Sequence, residues 1–319
     1  DGLNHFMMLG FPIPKIVGES PAEYFWQGIE LPKLSYARTD DKYFVGFRKN
    51  SVGYNYVDKR YVFNFNKYIK WIKSENWSTE NLISRGGLSK DINQLNYLFI
   101  GVGSVGSGIV EAMVRMGVRK VDIVDPDVLQ MGNLTRHELL ANDLHHSKAK
   151  QMVDRISKSN IHYTGKSYNT HIEDFVQNFP EKISEYDVII ETTGENKVLE
   201  LLGNLNLDAK VFSVSIGISA HRLYLYSSKS KSISIDTFLS TIHPWIDIDF
   251  DEFPLESFPR DGFGCWHPLF PARLDHVNLL CSTAVIIMET DLIDDKDHIT
   301  IVERGELGTT KIIFRNEIV

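Results

Sequence analysis

Length, composition and charge limit the classes of protein to which this chain can belong. It has 319 residues, 43% of them hydrophobic, which is enough for one large core or for one core and a smaller module. The formal net charge of -8 and the pI near 5.8 argue against nucleic acid as a partner. No run of about 18 apolar residues predicts a membrane span, no signal peptide is visible, and two cysteines indicate a reducing compartment, taken here as the cytoplasm. Because the chain begins Asp1-Gly2 without a methionine, we interpret it as a possible fragment of a longer protein.

The first 90 residues differ in character from the rest. The segments Phe6 to Phe11 and Tyr43 to Phe47 are typical of short strands, and prolines separate them as turns. Aromatic residues are frequent here, which allows either a stacking surface for bases or the core of a small α+β module. With few interleaved arginines, the second interpretation is favoured.

The central stretch of the chain has the pattern strand, glycine loop, helix, strand. Residues 97–100 form an apolar run of strand length, and Gly101, Gly103 and Gly106 follow in GxGxxG spacing. Apolar residues at helical spacing come next, and a second buried strand delivers Asp125 about 20 residues beyond the last glycine. In this pattern the glycines bring phosphate to the helix N-terminus and the acid binds a ribose. The pattern predicts a nucleotide site.

The residues after the acid separate the candidate cofactors. Asp125 is followed by Asp127, then by Asn133 and Arg136 in an N-L-x-R segment, and then by Lys148 on a predicted helix. A nicotinamide-dependent enzyme would continue into an ordinary crossover instead. The glycine loop, the D-x-D, the N-L-x-R segment and the downstream lysine together resemble the ThiF and MoeB superfamily, which includes the ubiquitin-activating enzymes. The resemblance covers roughly residues 92–291.

This resemblance implies a fold and a set of roles. The expected fold is α/β, a Rossmann-like ThiF-type adenylation domain with a mixed sheet, and the expected cofactors are ATP and Mg²⁺. The glycine loop, Asp125, Asp127 and Asn133 would bind the nucleotide, whereas Arg136 and Lys148 would neutralise its phosphates.

The resemblance also bears on assembly and domain organisation. Relatives dimerise across the adenylation domain, so we expect a homodimer. Relatives also supply an arginine from the region of Arg85 to the ATP of the other subunit; a solvated loop arginine is the alternative. The N-terminal segment of mixed strands and turns before the glycine loop resembles that of bacterial activating enzymes of the CBASS antiviral type. In those enzymes a conjugating-enzyme-like domain and a linker precede the adenylation domain. We therefore expect a small α+β linker module over residues 1–90 and an adenylation domain over 91–319, with a crossover loop near 228–270.

A departure from the family pattern concerns magnesium. Relatives carry a metal-binding aspartate at the end of the third core strand, and the matching position here is Gly194. Glu191 or Glu195 could take its place, because either lies at the carboxyl end of a parallel strand, where ligands of open α/β sheets bind. Glu195 could equally cap the following helix.

The two cysteines lie in different contexts. Residues 229–260 lack sustained periodicity and predict a long loop over the nucleotide site, which leads to Cys265 among glycines. By resemblance Cys265 holds a thioester; a buried residue packed under a tryptophan is the alternative. Cys281 lies in a continuous apolar helix and is expected in the core. The zinc-binding cysteine pairs of some relatives are absent, histidines such as His137 lack ligand spacing, and so no metal-ligand residues are assigned.

The sequence thus favours one function and leaves three alternatives. The favoured one is adenylation of the C-terminal glycine carboxylate of a ubiquitin-like protein or another protein tail, thioester formation on Cys265, and transfer to a conjugating-enzyme-like partner, plausible in antiviral defence. The alternatives are an adenylating sulfur-carrier or tRNA-modifying relative without its own thioester, an NAD-dependent oxidoreductase, and a dimeric pseudoenzyme scaffold.

Overall fold

The computed structural model describes residues 4–31, 47–49, 51–52, 55–57, 68–253, 260–261, 267–268 and 271–318. Contacts between Cα atoms divide the chain into two compact units, Asp1–Leu82 and Ile83–Val319. The boundary falls eight residues before the predicted one, which lay between residues 90 and 91. Each unit has its own sheet.

The first unit contains short antiparallel sheets. Its strands are β1 (His5–Pro14), β2 (Pro21–Leu31), β3 (Phe47–Lys49), β4 (Asn55–Val57) and β5 (Lys70–Trp71). The order β1-β2-β5 defines one sheet, and β3 pairs with β4 in a second. The predicted strand over residues 6–11 lies within β1, whereas the one predicted over 43–47 falls almost entirely outside the described residues.

The second unit is built on an eight-stranded mixed sheet flanked by helices. Its strands in this sheet are β6 (Asn96–Ile100), β7 (Lys120–Val124), β8 (Ser167–Tyr168), β9 (Val188–Glu191), β10 (Lys210–Ile216), β11 (Arg222–Lys229), β14 (His298–Arg304) and β15 (Thr310–Glu317); a short pair outside it consists of β12 (Arg260–Asp261) and β13 (His267–Pro268). Within the described residues, the α-helices are α1 (Thr79–Ile83), α2 (Lys90–Gln94), α3 (Ser104–Arg115), α4 (Lys148–Ser159), α5 (Ile172–Asn178), α6 (Asn196–Asn204), α7 (Ile235–Glu252) and α8 (Leu274–Asp294). The spatial order is β15-β14-β11-β10-β9-β6-β7-β8.

The strand directions locate the position where a ligand binds in such a sheet. Strands β10, β9, β6, β7 and β8 run parallel, and β11, β14 and β15 extend the sheet in antiparallel fashion. The chain leaves β6 toward β7 on one side and later returns to β9 on the other. The crevice outside the carboxyl ends of β6 and β9 is therefore the topological switch point, which in open α/β sheets is the ligand site. The predicted mixed sheet is confirmed.

Alternation along β6 explains how the sheet is buried on both faces. Tyr97 and Phe99 point into one core, together with buried residues of α3, α4 and α8. Leu98 and Ile100 point into the other, together with residues of α5, α6 and α7. All four side chains are at most 2% exposed, as expected for a central strand covered by helices on both sides.

Helix α7 replaces much of the long loop predicted over residues 229–260. Phe238 and Ile242, one turn apart, are buried in the second core, and buried Asp249 forms an ion pair with an arginine of β11. Pro244 stands in the middle of the helix, and a proline there removes one backbone hydrogen bond. The loop prediction was wrong here because tertiary burial of one helix face outweighs that local penalty.

Helix α8 meets the length and hydropathy expected of a membrane span, although the sequence predicted none. It has 21 residues, with a mean hydropathy of 1.3 over the most apolar window. In the structure its inward side chains, among them Val277, Leu280 and Ala284, are buried in the core that it shares with α3. It packs as a core helix, and the prediction that Cys281 lies in this core is confirmed.

Candidate active site

A cleft of about 240 Å³ opens at the switch point of the sheet. It is lined by the ends of three parallel strands and by the N-terminal residues of α4, α5 and α6. The predicted site residues that line it are Gly101, Gly103, Asp125, Asp127, Lys148 and Glu195. Residues far apart in sequence are thus brought together here.

The three motif glycines each meet a different constraint. Gly101 has φ +80°, a left-handed conformation that glycine adopts at low cost. A Cβ on Gly106 would lie 2.3 Å from the carbonyl oxygen of Gly101 and 2.4 Å from Oγ1 of Thr192, so the residue permits close packing of helix on strand. A Cβ on Gly103 would have no described atom within 4 Å and would point into free space. Only Gly103 is thus suited to admit a ligand.

Asp125 organises the glycine loop from the end of β7. It is 4% exposed. Its Oδ2 accepts a hydrogen bond from the backbone N–H of Val102 at 2.7 Å, and its Oδ1 accepts one from the N–H of Asp127 at 2.8 Å. Burial raises the pKa of the Asp125 carboxyl, while these two backbone hydrogen bonds oppose the rise. The carboxylate thus accepts hydrogen bonds from the loop and still has free lone pairs that can accept one from a ribose hydroxyl.

His137, interpreted from sequence as a loop histidine, holds the same loop from the other side. It is 7% exposed, its Nε2 lies 2.6 Å from the carbonyl oxygen of Val102, and its Nδ1 accepts a hydrogen bond from the N–H of Leu139 at 3.0 Å. Since a carbonyl only accepts, the ring is the neutral tautomer with its proton on Nε2. Burial lowers the pKa of His137 to about 4. In the sequence, only its position directly after Arg136 of the N-L-x-R segment indicated a place near the site.

Lys148 contributes a positive charge to the cleft. It is the first residue of α4, whose preceding Ser147 accepts a hydrogen bond from the N–H of Lys150. Its side chain is 9% exposed, and its Nζ lies 2.8 Å from Oδ2 of Asp127, a carboxylate that is 64% exposed. The ion pair holds the ammonium group at the cleft, where it can exchange its partner for a phosphate.

The two candidate carboxylates for magnesium are in contrasting environments. Glu191 is 1% exposed; its Oε1 accepts hydrogen bonds from the N–H and hydroxyl of Thr193 and the N–H of Gly194, and its Oε2 accepts one from Ser213. Burial raises its pKa. Glu191 does not line the cleft, so the structure corrects the suggestion that it binds the metal.

Glu195 fits a metal better. Its carboxylate is 53% exposed, lies in the cleft and pairs with Lys197 at 2.8 Å. It occupies the N-cap position of α6 but makes no capping hydrogen bond, contrary to the alternative role considered for it. Mg²⁺ typically binds one or two carboxylates together with substrate phosphates and water. Asp127 and Glu195, which both line the cleft, supply such a donor set.

Asn133, Arg136 and Arg85 do not line this cleft. Asn133 accepts a hydrogen bond from the N–H of Gln130 at a 3₁₀ turn, and Arg136 lies three residues after Asn133, half-buried. Arg85 is exposed in the segment before α2. Cys265 lies outside the described residues. Cys281, by contrast, is buried, and burial raises the pKa of its thiol to about 12, which leaves it protonated at neutral pH.

Comparison with known families agrees with this geometry. The ThiF family model matches residues 77–205, and the model of the Cap2 central linker domain matches residues 1–77. The chain therefore carries a ThiF-family domain preceded by a Cap2-type linker domain, which confirms the family predicted from the motifs.

Individual proteins are similar over different lengths. The ATP-dependent ubiquitin transferase-like protein Cap2 of Enterobacter hormaechei is 31% identical over 279 residues, which are 86% of this chain and 45% of the relative. A probable molybdopterin-synthase adenylyltransferase of Porphyra purpurea is 32% identical over 103 residues, 32% of this chain and 26% of the relative. The chain thus spans less than half the length of either relative.

Among solved structures, E. coli MccB with ATP has a similar fold. The TM-score is 0.50 at 11% identity, over 73% of this chain and 65% of MccB. At that identity the likeness concerns the fold alone, and the predicted ThiF-type fold is confirmed.

Proposed function

We propose that the protein uses ATP to adenylate the C-terminal carboxylate of a ubiquitin-like protein or another protein tail. The observation that carries this proposal is the convergence of the open Gly103, Asp125 and Lys148 on one cleft at the switch point. The similarity to Cap2 and to an adenylyltransferase supports it, as does a ThiF-type fold shared with a protein solved with ATP.

The first half-reaction follows from the groups in the cleft. A carboxylate oxygen of the tail attacks the α-phosphorus of ATP, the bond to the bridging oxygen breaks, and pyrophosphate leaves. Backbone amides beside Gly103 receive the phosphates, and Lys148 neutralises charge that grows on them. Asp125 offers its remaining lone pairs to the ribose. By family resemblance, Arg136 adds further positive charge. Arg85 of the second subunit of a homodimer would do the same.

Asp127 and Glu195 would hold Mg²⁺ in this cleft. The ion supplies charge neutralisation on the phosphates when it is bound. Lys148 and Lys197, now paired with these carboxylates, would then turn toward phosphate oxygens.

The second half-reaction is assigned to Cys265. Its thiolate would attack the acyl carbon of the adenylate, AMP would leave, and the acyl group would remain on sulfur as a thioester. A conjugating-enzyme-like partner would receive the acyl group next. The similarity to a ubiquitin transferase-like protein supports this extension. The cytoplasmic location and the role in antiviral defence are proposed from the sequence alone.

A second candidate is an adenylating enzyme that forms no thioester of its own. The similarity to a probable molybdopterin-synthase adenylyltransferase, which covers 32% of this chain, supports this candidate. Both candidates share the first half-reaction and differ only in the role of Cys265.

The test combines ATP and pyrophosphate exchange with a nonreducing gel. We expect exchange with candidate tails ending in glycine, and a thiol-sensitive adduct in the intact chain that is absent from Cys265→Ala. Lys148→Met should slow exchange by about 100-fold, the loss typical of a preorganised electrostatic contact, whereas Lys150→Met, exposed on the same helix, should leave it unchanged.

The outcomes separate the candidates. Exchange without an adduct would support the second candidate. If no tail supports exchange, or if Lys150→Met is as damaging as Lys148→Met, the assignment of the cleft fails.

A further inference from the structure

A second cavity of about 320 Å³ adjoins the nucleotide cleft. It lies between α6, α7 and the carboxyl ends of β9 and β10. One wall is apolar and is formed mainly by α7, where the side chains fall at helical spacing on one face. These wall residues are Leu199, Phe238, Leu239, Ile242, Ile246 and Phe250.

The cavity and the cleft share the segment that follows β9. Gly194 and Glu195 border the cavity, and Thr192, Thr193 and Glu195 border the cleft. A molecule that crosses Glu195 would therefore have one part in each. Such a molecule could place a terminal carboxylate beside a nucleotide in the cleft.

The charged groups of the two sites determine which end of that molecule enters which site. Lys148 and Lys197 line the cleft. Among the described residues that line the cavity, none is a lysine or an arginine. A free carboxylate is thus disfavoured in the cavity, whereas the cleft offers two ammonium groups, which pair with Asp127 and Glu195 until a substrate takes their place.

The carboxylates that line the cavity already have partners within the protein. The buried Asp249 carboxylate is paired with Arg222, His221 and Tyr224. Glu191 accepts four hydrogen bonds, as described above, and Glu195 is paired with Lys197. Since each carboxylate already has its partners, a neutral and apolar occupant is favoured.

We propose that this cavity binds an apolar side chain of the protein tail, belonging to one of the few residues before the carboxylate that is activated. The proposal rests on the adenylation function proposed above and narrows its substrate class to tails with an apolar residue near the C-terminus. Burying one leucine-sized side chain should raise the affinity by about 10- to 150-fold.

The experiment uses labelled ten-residue peptides that end in glycine. Leucine or aspartate is placed at each of the three preceding positions of a serine background, and binding to the full chain is followed by fluorescence anisotropy with a non-hydrolysable ATP analogue present. We expect one leucine position to bind at least about 10-fold more tightly than its aspartate counterpart.

Two substitutions on α7 form a matched pair. Ile246→Trp fills the cavity and should abolish the preference for leucine. Ile248→Trp, at a position that is 46% exposed and does not line the cavity, should preserve it. The affinity for the ATP analogue should be the same in both. If Ile246→Trp does not fold, Leu239→Gln takes its place as a polar change in the same wall.

Each result bears on a different claim. A panel without leucine preference, or a preference that survives Ile246→Trp, overturns the proposal even where pyrophosphate exchange proceeds. Weaker binding of the ATP analogue by Ile246→Trp would also overturn it, because the cavity would then belong to the nucleotide. Leucine-dependent binding without any exchange would support the cavity assignment and count against adenylation.

Discussion

Val102, inside the glycine loop, is held by two buried side chains at once. The Asp125 carboxylate accepts a hydrogen bond from the N–H of Val102, and the His137 ring donates one to its carbonyl oxygen. A buried backbone group that loses its partner costs about 1–3 kcal/mol. The loop geometry on which phosphate binding depends is therefore set by residues 23 and 35 positions away in the sequence.

His137 predicts a specific pH dependence of stability. Its folded pKa of about 4 lies below the ordinary value of 6.5, so the unfolded chain takes up a proton first as pH falls. Stability is complete above about pH 6.5 and is lost between there and about pH 4, by up to roughly 3 kcal/mol.

The matched variant is His137→Gln, which keeps an N–H donor but does not titrate. Urea unfolding at pH 7 and pH 4.5 should show a larger loss in the wild type than in His137→Gln. His137→Leu should be destabilised at both pH values because Val102 loses its partner. Equal pH dependence in the wild type and the glutamine variant would contradict the assigned role.

At the scale of single residues, the spacing of the motifs predicted which residues lie together in the cleft. Gly101, Asp125 and Lys148 lie in the cleft as their pattern indicated. His137 was missed because its role depends on a contact with Val102 across the fold, which no local pattern encodes. Glu191 and Glu195 could be told apart only once burial was known.

Helix α3 shows how one element links the core to the site. Its N-terminal turn packs on the glycine loop through Gly106, and its middle packs on α8 through Gly108, where a Cβ would lie 3.4 Å from the sulfur of Cys281. The two glycines occupy the same helix but differ in the space around them. Only the first approaches backbone atoms too closely for any side chain.

This contrast predicts opposite tolerance of alanine. Gly106→Ala should lower the free energy of unfolding by about 1–3 kcal/mol, as overpacking does, because the loop must shift. Gly108→Ala should be neutral or more stable by up to about 1 kcal/mol, because alanine favours helix. Urea denaturation measures both, and equal destabilisation would refute the assigned contact at Gly106.

Helices and strands with a clear period were predictable, and α7 was not. The strands predicted over residues 97–100 and directly before Asp125 appear as β6 (Asn96–Ile100) and β7 (Lys120–Val124). Pro244 and the acids around it mask the period of α7 in the sequence. The buried ion pair of Asp249 with β11 is a tertiary contact and therefore could not be anticipated.

At the scale of the whole molecule, the order of the parallel strands explains the site. Because β6 lies between β7 and β9, the loops after all three strands converge on one edge. The carboxylates of Asp125 and Glu195 and the ammonium group of Lys148 thus line one cleft although their sequence positions span 71 residues, 125 to 195. The homodimer and the thioester on Cys265 remain predictions from resemblance.

The measurement that tests the central claim most directly is calorimetric titration of ATP with Mg²⁺ into the wild type, Gly103→Ala and Gly108→Ala. A methyl group on Gly103 would meet no described atom of the protein, yet it would occupy the space through which a phosphate reaches the backbone amides. We expect an unchanged melting temperature for Gly103→Ala and an affinity for ATP at least about 10-fold lower, roughly 1.4 kcal/mol, with Gly108→Ala binding as the wild type does. Binding of ATP by Gly103→Ala with wild-type affinity would show that the nucleotide does not bind in this cleft.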